Sequence, residues 1–159
     1  MSLLQALTAV VASGQTLACT PVAVYDGDGP VWCKEGPRIR LSGIAAREMD
    51  GTCRTNQHCA KATAEQSRDA LVRLVGKPIG RKPEGHVLVK GPTMRCLSEG
   101  DGKGSRTAAW CVSPIGGDLS CAMVRGGWAL KWARYWRGHR CTNSAAQFRR
   151  NADFSGDKG

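Results

Sequence analysis

Eight cysteines in 159 residues constrain this chain more than any other feature of its sequence. They are Cys19, Cys33, Cys53, Cys59, Cys96, Cys111, Cys121 and Cys141. The count is even, no CxxC is matched by a second CxxC, and the three histidines (His58, His86, His139) are scattered. A structural zinc site needs thiolates and imidazoles in close pairs, so this spacing argues against zinc and for disulfides. Disulfides persist in oxidising compartments. The competing reading is a set of buried free thiols in a cytosolic protein.

The N-terminus agrees with export. Leu3 to Ala12 is a short apolar run, and Ala12-Ser13-Gly14 supplies small residues at the distance of a cleavage site, although no Lys or Arg precedes the run. Residues 1–14 are therefore expected to be a signal peptide or, if uncleaved, an N-terminal extension. The run is too short to span a bilayer, and no other segment is better placed to do so. The mature chain is expected to be soluble, away from membranes, and secreted or periplasmic.

The length suits one domain with a single core, and the 42% hydrophobic content is that of a globular protein. Lys and Arg number 23 against 13 Asp and Glu, a net charge of +10. Such a balance favours polyanionic partners, because each cation placed on a phosphate releases condensed counterions. The charge is also uneven. Between Leu119 and Ala152 there is no acid, while Arg125, Lys131, Arg134, Arg137, Arg140, Arg149 and Arg150 fall there.

From Thr16 onward the pattern is short strands and tight turns. Ala18 to Tyr25 reads as a strand ended by Asp26-Gly27-Asp28-Gly29-Pro30, Pro30 to Lys34 as a second, and Arg38 to Ile44 as a third. In the third, Ile39, Leu41 and Gly43 face one way and Arg38, Arg40 and Ser42 the other. Cys59 to Val75 has a helical period and stops at Gly76. His86 to Lys90, Met94 to Leu97 and Thr107 to Val112 are further strands, with a glycine-rich loop over Ser98 to Ser105. Asp118 is placed to cap a helix from Leu119 to Arg125. Residues 15–150 form one domain on this reading, and 151–159 a disordered tail. Periodicity by itself supports an α+β class.

The chemistry concentrates between Asp26 and Glu48. Phosphodiester cleavage needs an activated water and positive charge on the developing phosphorane oxygens. Arginine suits the second role, since its planar fork matches two phosphate oxygens and stays charged. Two acids in a glycine turn (Asp26, Asp28), an arginine on a strand (Arg40) and a glutamate just beyond it (Glu48) are such a set. Arg106, in Gly104-Ser105-Arg106-Thr107, adds a second guanidinium. Each residue also has a bland reading: an Asx turn, a solvent-facing strand charge, a loop acid paired with Arg47 or Arg54, or an ordinary hairpin arginine.

In this order the residues resemble the thermonuclease family (staphylococcal-nuclease-like domains). The family pattern is an Asp-Gly-Asp turn, then Arg-x-x-x-x-Asp-x-Pro-Glu, then Tyr-Gly-Arg before a small-residue strand. Gly117-Asp118-Leu119 and Arg125-Gly126-Gly127-Trp128-Ala129 extend the similarity, which covers roughly Val22 to Tyr135. The resemblance implies a five-stranded OB-type β-barrel capped by about three helices. It implies a monomeric, sugar-nonspecific nuclease acting on DNA or RNA with Ca2+. Asp28 would be a metal ligand, with Asp26 as a further candidate. Arg40, Glu48 and Arg106 would be catalytic.

The pattern also has departures. The family's second metal aspartate falls at Ala45, its proline at Arg47 and a glycine at Ser105; Gly29 stands where threonine is usual. Ca2+ takes six to eight oxygens, so the loss at Ala45 implies an alternative: a catalytically weakened relative that binds nucleic acid. A third reading is a disulfide-stabilised secreted protein with no nucleic-acid role.

The resemblance also bears on the cysteines. Exported relatives often carry cysteines where Cys53 and Cys59 flank the loop after Glu48, and where Cys96 and Cys111 flank the Arg106 hairpin. The other four allow three pairings. Trp128, Trp132 and Trp136 recur every fourth residue among basic side chains. Trp132, with Lys131, Arg134 and Arg38, is a candidate for stacking on bases and holding phosphates, against the plainer reading that the tryptophans pack the core. The family resemblance favours an extended segment after Gly127, which would break a helical stripe.

Overall fold

The computed structural model describes residues 9–53 and 58–142. The tail expected over 151–159, Arg149, Arg150 and residues 1–8 of the expected leader lie outside these. In chain order the elements are β1 (Thr16–Cys19), β2 (Pro21–Val24), β3 (Val31–Cys33), β4 (Arg38–Leu41), β5 (Ile44–Ala45), α1 (Ala64–Val75), β6 (Lys77–Arg81), β7 (Val87–Lys90), β8 (Met94–Asp101), β9 (Thr107–Ser113), β10 (Gly117–Asp118), α2 (Leu119–Arg125), β11 (Leu130–Lys131) and α3 (Ala133–Trp136). The class is α+β, with a mostly sheet core and, among the described residues, three helices.

The strands follow the path β1-β8-β9-β4-β3-β2-β7-β6, with β10 on the flank of β9; β5 and β11 pair separately. All pairs are antiparallel except β4 with β9, which run parallel. This corrects the expected closed, five-stranded barrel: the sheet is open and has more strands. Closure would require its two end strands, β1 and β6, to bond to each other. β6 is exposed along its length, carries Pro78, which has no amide hydrogen, and shifts register between Pro78 and Gly80. Such features belong to edge strands. The segment read as one strand from Ala18 to Tyr25 breaks at Thr20. Its first half joins β8, and its second half, starting at Pro21, joins β3 and β7.

The core forms where the sheet meets α1 and α2. Ile39, Leu41, Ile44, Leu71, Met94, Leu119 and Met123 are fully buried; each such side chain contributes about 1.5–3 kcal/mol over its exposed state. The helix expected from Cys59 begins only at Ala64, because Thr63 caps it. The Thr63 hydroxyl accepts from the Gln66 amide at 3.1 Å, and Gln66 Oε1 accepts from the Thr63 amide at 2.9 Å. One helical residue then fixes the C-terminal third: Ser67 Oγ donates to the Trp128 carbonyl at 2.6 Å.

All eight cysteines are paired, as Cys19–Cys33, Cys53–Cys59, Cys96–Cys111 and Cys121–Cys141. Two are the pairs expected from the resemblance, and Cys96 and Cys111 face each other directly across β8 and β9. Four disulfides fit an oxidising environment. Among the described residues no helix is long and apolar enough to cross a membrane.

Candidate phosphate-binding cleft and carboxyl cluster

The turn after β2 is built to bring Asp28 against β4. Gly29 takes a φ of +110°, and a Cβ there would collide with the Ile39 carbonyl and lie 3.4 Å from the Arg40 Cα. Glycine is thus needed both for its backbone conformation and for the close approach. The contact is closed by the Leu41 amide, which donates to the Asp28 carbonyl at 2.8 Å. Asp28's own amide donates to Asp26 Oδ1 at 3.1 Å, so the Asx turn anticipated for these acids is present.

Asp28 and Arg40 form a buried pair, with Oδ2 3.4 Å from Arg40 Nη2. The same oxygen accepts from the Ala46 amide at 3.2 Å, and Arg40 Nη1 donates to the Leu41 carbonyl at 3.3 Å. Arg40 is therefore not a solvent-facing strand charge. Ser42 is buried as well, so both faces of the β4 segment are covered. Asp26, 4% exposed, has its carboxyl pushed up to about 9. Burial is the largest cause, followed by the charge of Asp28 and a hydrogen bond with it, with a smaller contribution from Glu48. The three acids thus form one electrostatic cluster.

Glu48 opens a tight turn in which its carbonyl accepts from the Gly51 amide and its amide donates to the Thr52 carbonyl. Arg47, where the family has proline, does not pair with Glu48. Its guanidinium donates to the carbonyls of Gly51, Ala60 and Ala62 at 2.9, 2.8 and 3.4 Å, fastening the Glu48 turn to the segment before α1. Sequence reasoning missed this role, since an exposed-looking arginine gives no sign of which carbonyls it will meet.

On the other side of Arg40 lies a cavity of about 210 Å³. Arg106, Lys103 and Arg137 line it with Arg40, as do the rings of Trp132 and Tyr135 and the acids Glu99 and Asp101. Arg106 Nε donates to the Lys103 carbonyl at 2.9 Å. Lys103, Gly104 and Ser105 all take positive φ. Ser105, standing where the family has glycine, does so at φ 62° and carries the strain of a side chain in that region. Arg38 supports this loop from outside the cavity, donating from Nη2 to the Gly104 carbonyl at 2.9 Å.

Trp132 reaches the cleft because the chain after Gly127 is extended. β11 pairs with β5 and the Trp132 amide donates to the Gly43 carbonyl at 2.7 Å. The helical tryptophan stripe does not form. The Arg40 guanidinium carbon lies 5.4 Å from the centre of the Trp132 ring, and Tyr135 meets that ring edge-on at 4.7 Å. Of the other binding candidates, Lys131 lies over Trp136 and Arg134 over Tyr135, and neither lines the cavity.

The wall carrying Trp132 and Tyr135 is anchored by contacts that the sequence did not reveal. His139 stacks on Trp110 at 3.6 Å and meets Asp118 Oδ2 at 2.7 Å, and Cys141 is bonded to Cys121. Asp118, Cys121 and His139 come close enough to suggest a metal site. They do not fit one. The Cys121 sulfur is consumed in a disulfide, and the Asp118 carboxylate caps α2 and accepts from the Thr142 amide. Asp26, Asp28 and Glu48 are coupled electrostatically, but their carboxylate oxygens do not converge as a three-ligand group, and Ala45 adds no carboxylate.

The chain matches no protein-family model, no curated protein and no solved structure.

Proposed function

We propose that the protein is an exported, monomeric, thermonuclease-like phosphodiesterase that hydrolyses DNA or RNA without sequence preference. One observation carries the reading: Arg40 on β4 and Arg106 in the loop that leads into the neighbouring β9 line one cavity, and Arg40 is held from behind by Asp28. The side chains support a division of labour. A phosphate enters between the two guanidiniums, whose planar forks take its oxygens and hold the charge that builds in the transition state. Glu48 takes the proton of the attacking water. Trp132 and Tyr135 hold the adjoining base by stacking. A divalent cation, Ca2+ in the family resembled, would be held by Asp28, with Asp26 as a further candidate ligand, and would lower the pKa of its water.

A second reading is favoured by Ala45, which is buried and laddered to Leu130 where the family has a carboxylate. On it the cleft binds nucleic acid without turnover. Cleavage of labelled DNA and RNA strands in Ca2+, Mg2+ or EDTA separates the two, run beside Glu48→Gln and Arg106→Ala. Metal-dependent cleavage lost in both variants supports the enzyme. Equal, negligible cleavage by all three proteins at every metal concentration refutes it, and salt-dependent binding by the same proteins then supports the second reading.

A further inference from the structure

The geometry points to a second nucleic-acid contact surface, an aromatic and basic track that leaves the cleft at Gly104 and crosses the sheet to the β6–β7 hairpin; the inference rests on the cleft being a phosphate site. The track is a chain of contacts. Arg38 bonds the Gly104 carbonyl in the loop that carries Arg106, and its guanidinium carbon lies 5.0 Å from the centre of the Trp32 ring. Trp32 and Arg38 are cross-strand partners on β3 and β4. His86 meets the Trp32 ring at 5.7 Å and the Tyr25 ring at 5.0 Å. The His86 carbonyl then accepts from the amide of Lys82, in the turn of the hairpin.

Two further observations give this surface a preferred occupant. The hairpin from Lys77 to Lys90 holds Lys77, Arg81, Lys82 and Lys90 against one acid, Glu84, and every residue of β6 is exposed. An exposed basic edge beside a cluster of aromatic rings suits a single-stranded nucleic acid, which offers phosphates and unpaired bases together. Trp32 Nε1, Arg38 Nε and His86 Nδ1 are buried atoms without a hydrogen-bond partner beneath these rings, Glu84 being 3.9 Å from His86 and too far for one. The substrate is therefore a strand several nucleotides long, cut at the cleft and held along the track.

The test is binding in EDTA, where cleavage does not intervene, at two probe lengths: a 5′-phosphorylated dinucleotide and oligothymidine of about 12 nucleotides. The variants are Trp32→Leu and the double reversal Arg81→Glu/Lys82→Glu. Both are expected to weaken the long strand about tenfold and leave the dinucleotide unchanged, and the double reversal lowers the salt slope by about 1 to 2. Arg81 and Lys82 are exposed, so the reversal decides the question even if Trp32→Leu fails to fold. Unchanged long-strand binding in the reversal, equal weakening of both probes, or no long-strand binding by the wild type overturns the track. A wild type that binds the long strand through Arg81 and Lys82 but not the dinucleotide refutes the cleft instead.

Discussion

Ala45 is paired with Leu130 across the short β5–β11 ladder, and only 7% of its surface is exposed. The next residue, Ala46, donates its amide to Asp28 Oδ2. A carboxylate at position 45 would be buried beside a cluster in which Asp26 is already held protonated. Ala45→Asp is therefore expected to destabilise the protein in EDTA by about 2–4 kcal/mol, as a buried unpaired charge does. Divalent cations should recover most of that loss, since a ligand that binds only the folded state stabilises it. Thermal unfolding with and without Ca2+ measures both effects. A variant as stable as wild type in EDTA and indifferent to Ca2+ would count against a cation site at the cluster.

Arg40 and Arg106 should fail differently. Losing either guanidinium is expected to lower cleavage by about 10²–10³, the usual effect of removing one transition-state donor. Arg40→Ala also strands the buried Asp28 carboxylate, whose side chain is 4% exposed, and should cost about 3 kcal/mol of stability. Arg106 bonds only to a carbonyl of its own loop among the contacts described, so Arg106→Ala should stay within about 0.5 kcal/mol of wild type. Urea midpoints beside initial cleavage rates would show the asymmetry. Equal stability losses would mean that Arg40 is not the buried partner of Asp28.

These two residues also mark what the sequence reveals. The Asp26–Gly29 turn and the Arg40 strand lie within a short stretch, and local chemistry specifies them: glycine for the turn, alternation for the strand. The cap at Asp118 is readable for the same reason. What depends on distant segments is not. The break at Thr20 follows from which partner each half of the strand finds, and β6, with Pro78 and Gly80 within it, carries no alternating strand pattern of its own. Sheet closure is likewise a property of two edges far apart in sequence. In the site, the stacking of His139 on Trp110 and the path of Arg47 to the carbonyls of Ala60 and Ala62 leave no local trace. The tryptophan period suggested a helix, but pairing of β11 with β5 overrode it.

The disulfide Cys121–Cys141 and the Asp118–His139 pair hold the segment that presents Trp132 and Tyr135 to the cleft. Removing this disulfide with Cys121→Ala/Cys141→Ala should cost about 3 kcal/mol and also weaken binding of a single strand. Cys19–Cys33 closes a loop of similar size, and neither of its cysteines lines the cavity. Cys19→Ala/Cys33→Ala should therefore cost comparable stability and leave binding by the folded protein unchanged. Melting curves and binding isotherms for the two double variants provide the comparison. Equal effects on binding would show that the Cys121–Cys141 clasp does not position the wall.

Asp26 gives the protein a definite pH dependence. In the unfolded chain its carboxyl titrates near 4, whereas in the folded protein burial and the charge of Asp28 push it up to about 9. Between those values the folded state holds a proton that the unfolded state has released, so stability falls as pH rises through the window. The slope from this one group is at most about 1.4 kcal/mol per pH unit. Asp26→Asn keeps an oxygen to accept from the Asp28 amide but cannot ionise. It should flatten the profile and make the protein more stable than wild type at pH 8. A divalent cation bound at the cluster would displace the same proton, so its affinity for wild type should rise with pH across the window, while Asp26→Asn should show little of that rise. Urea unfolding from pH 5 to 9, with and without Ca2+, tests both parts. Wild-type stability that is level or rising over that range would contradict a protonated, buried Asp26.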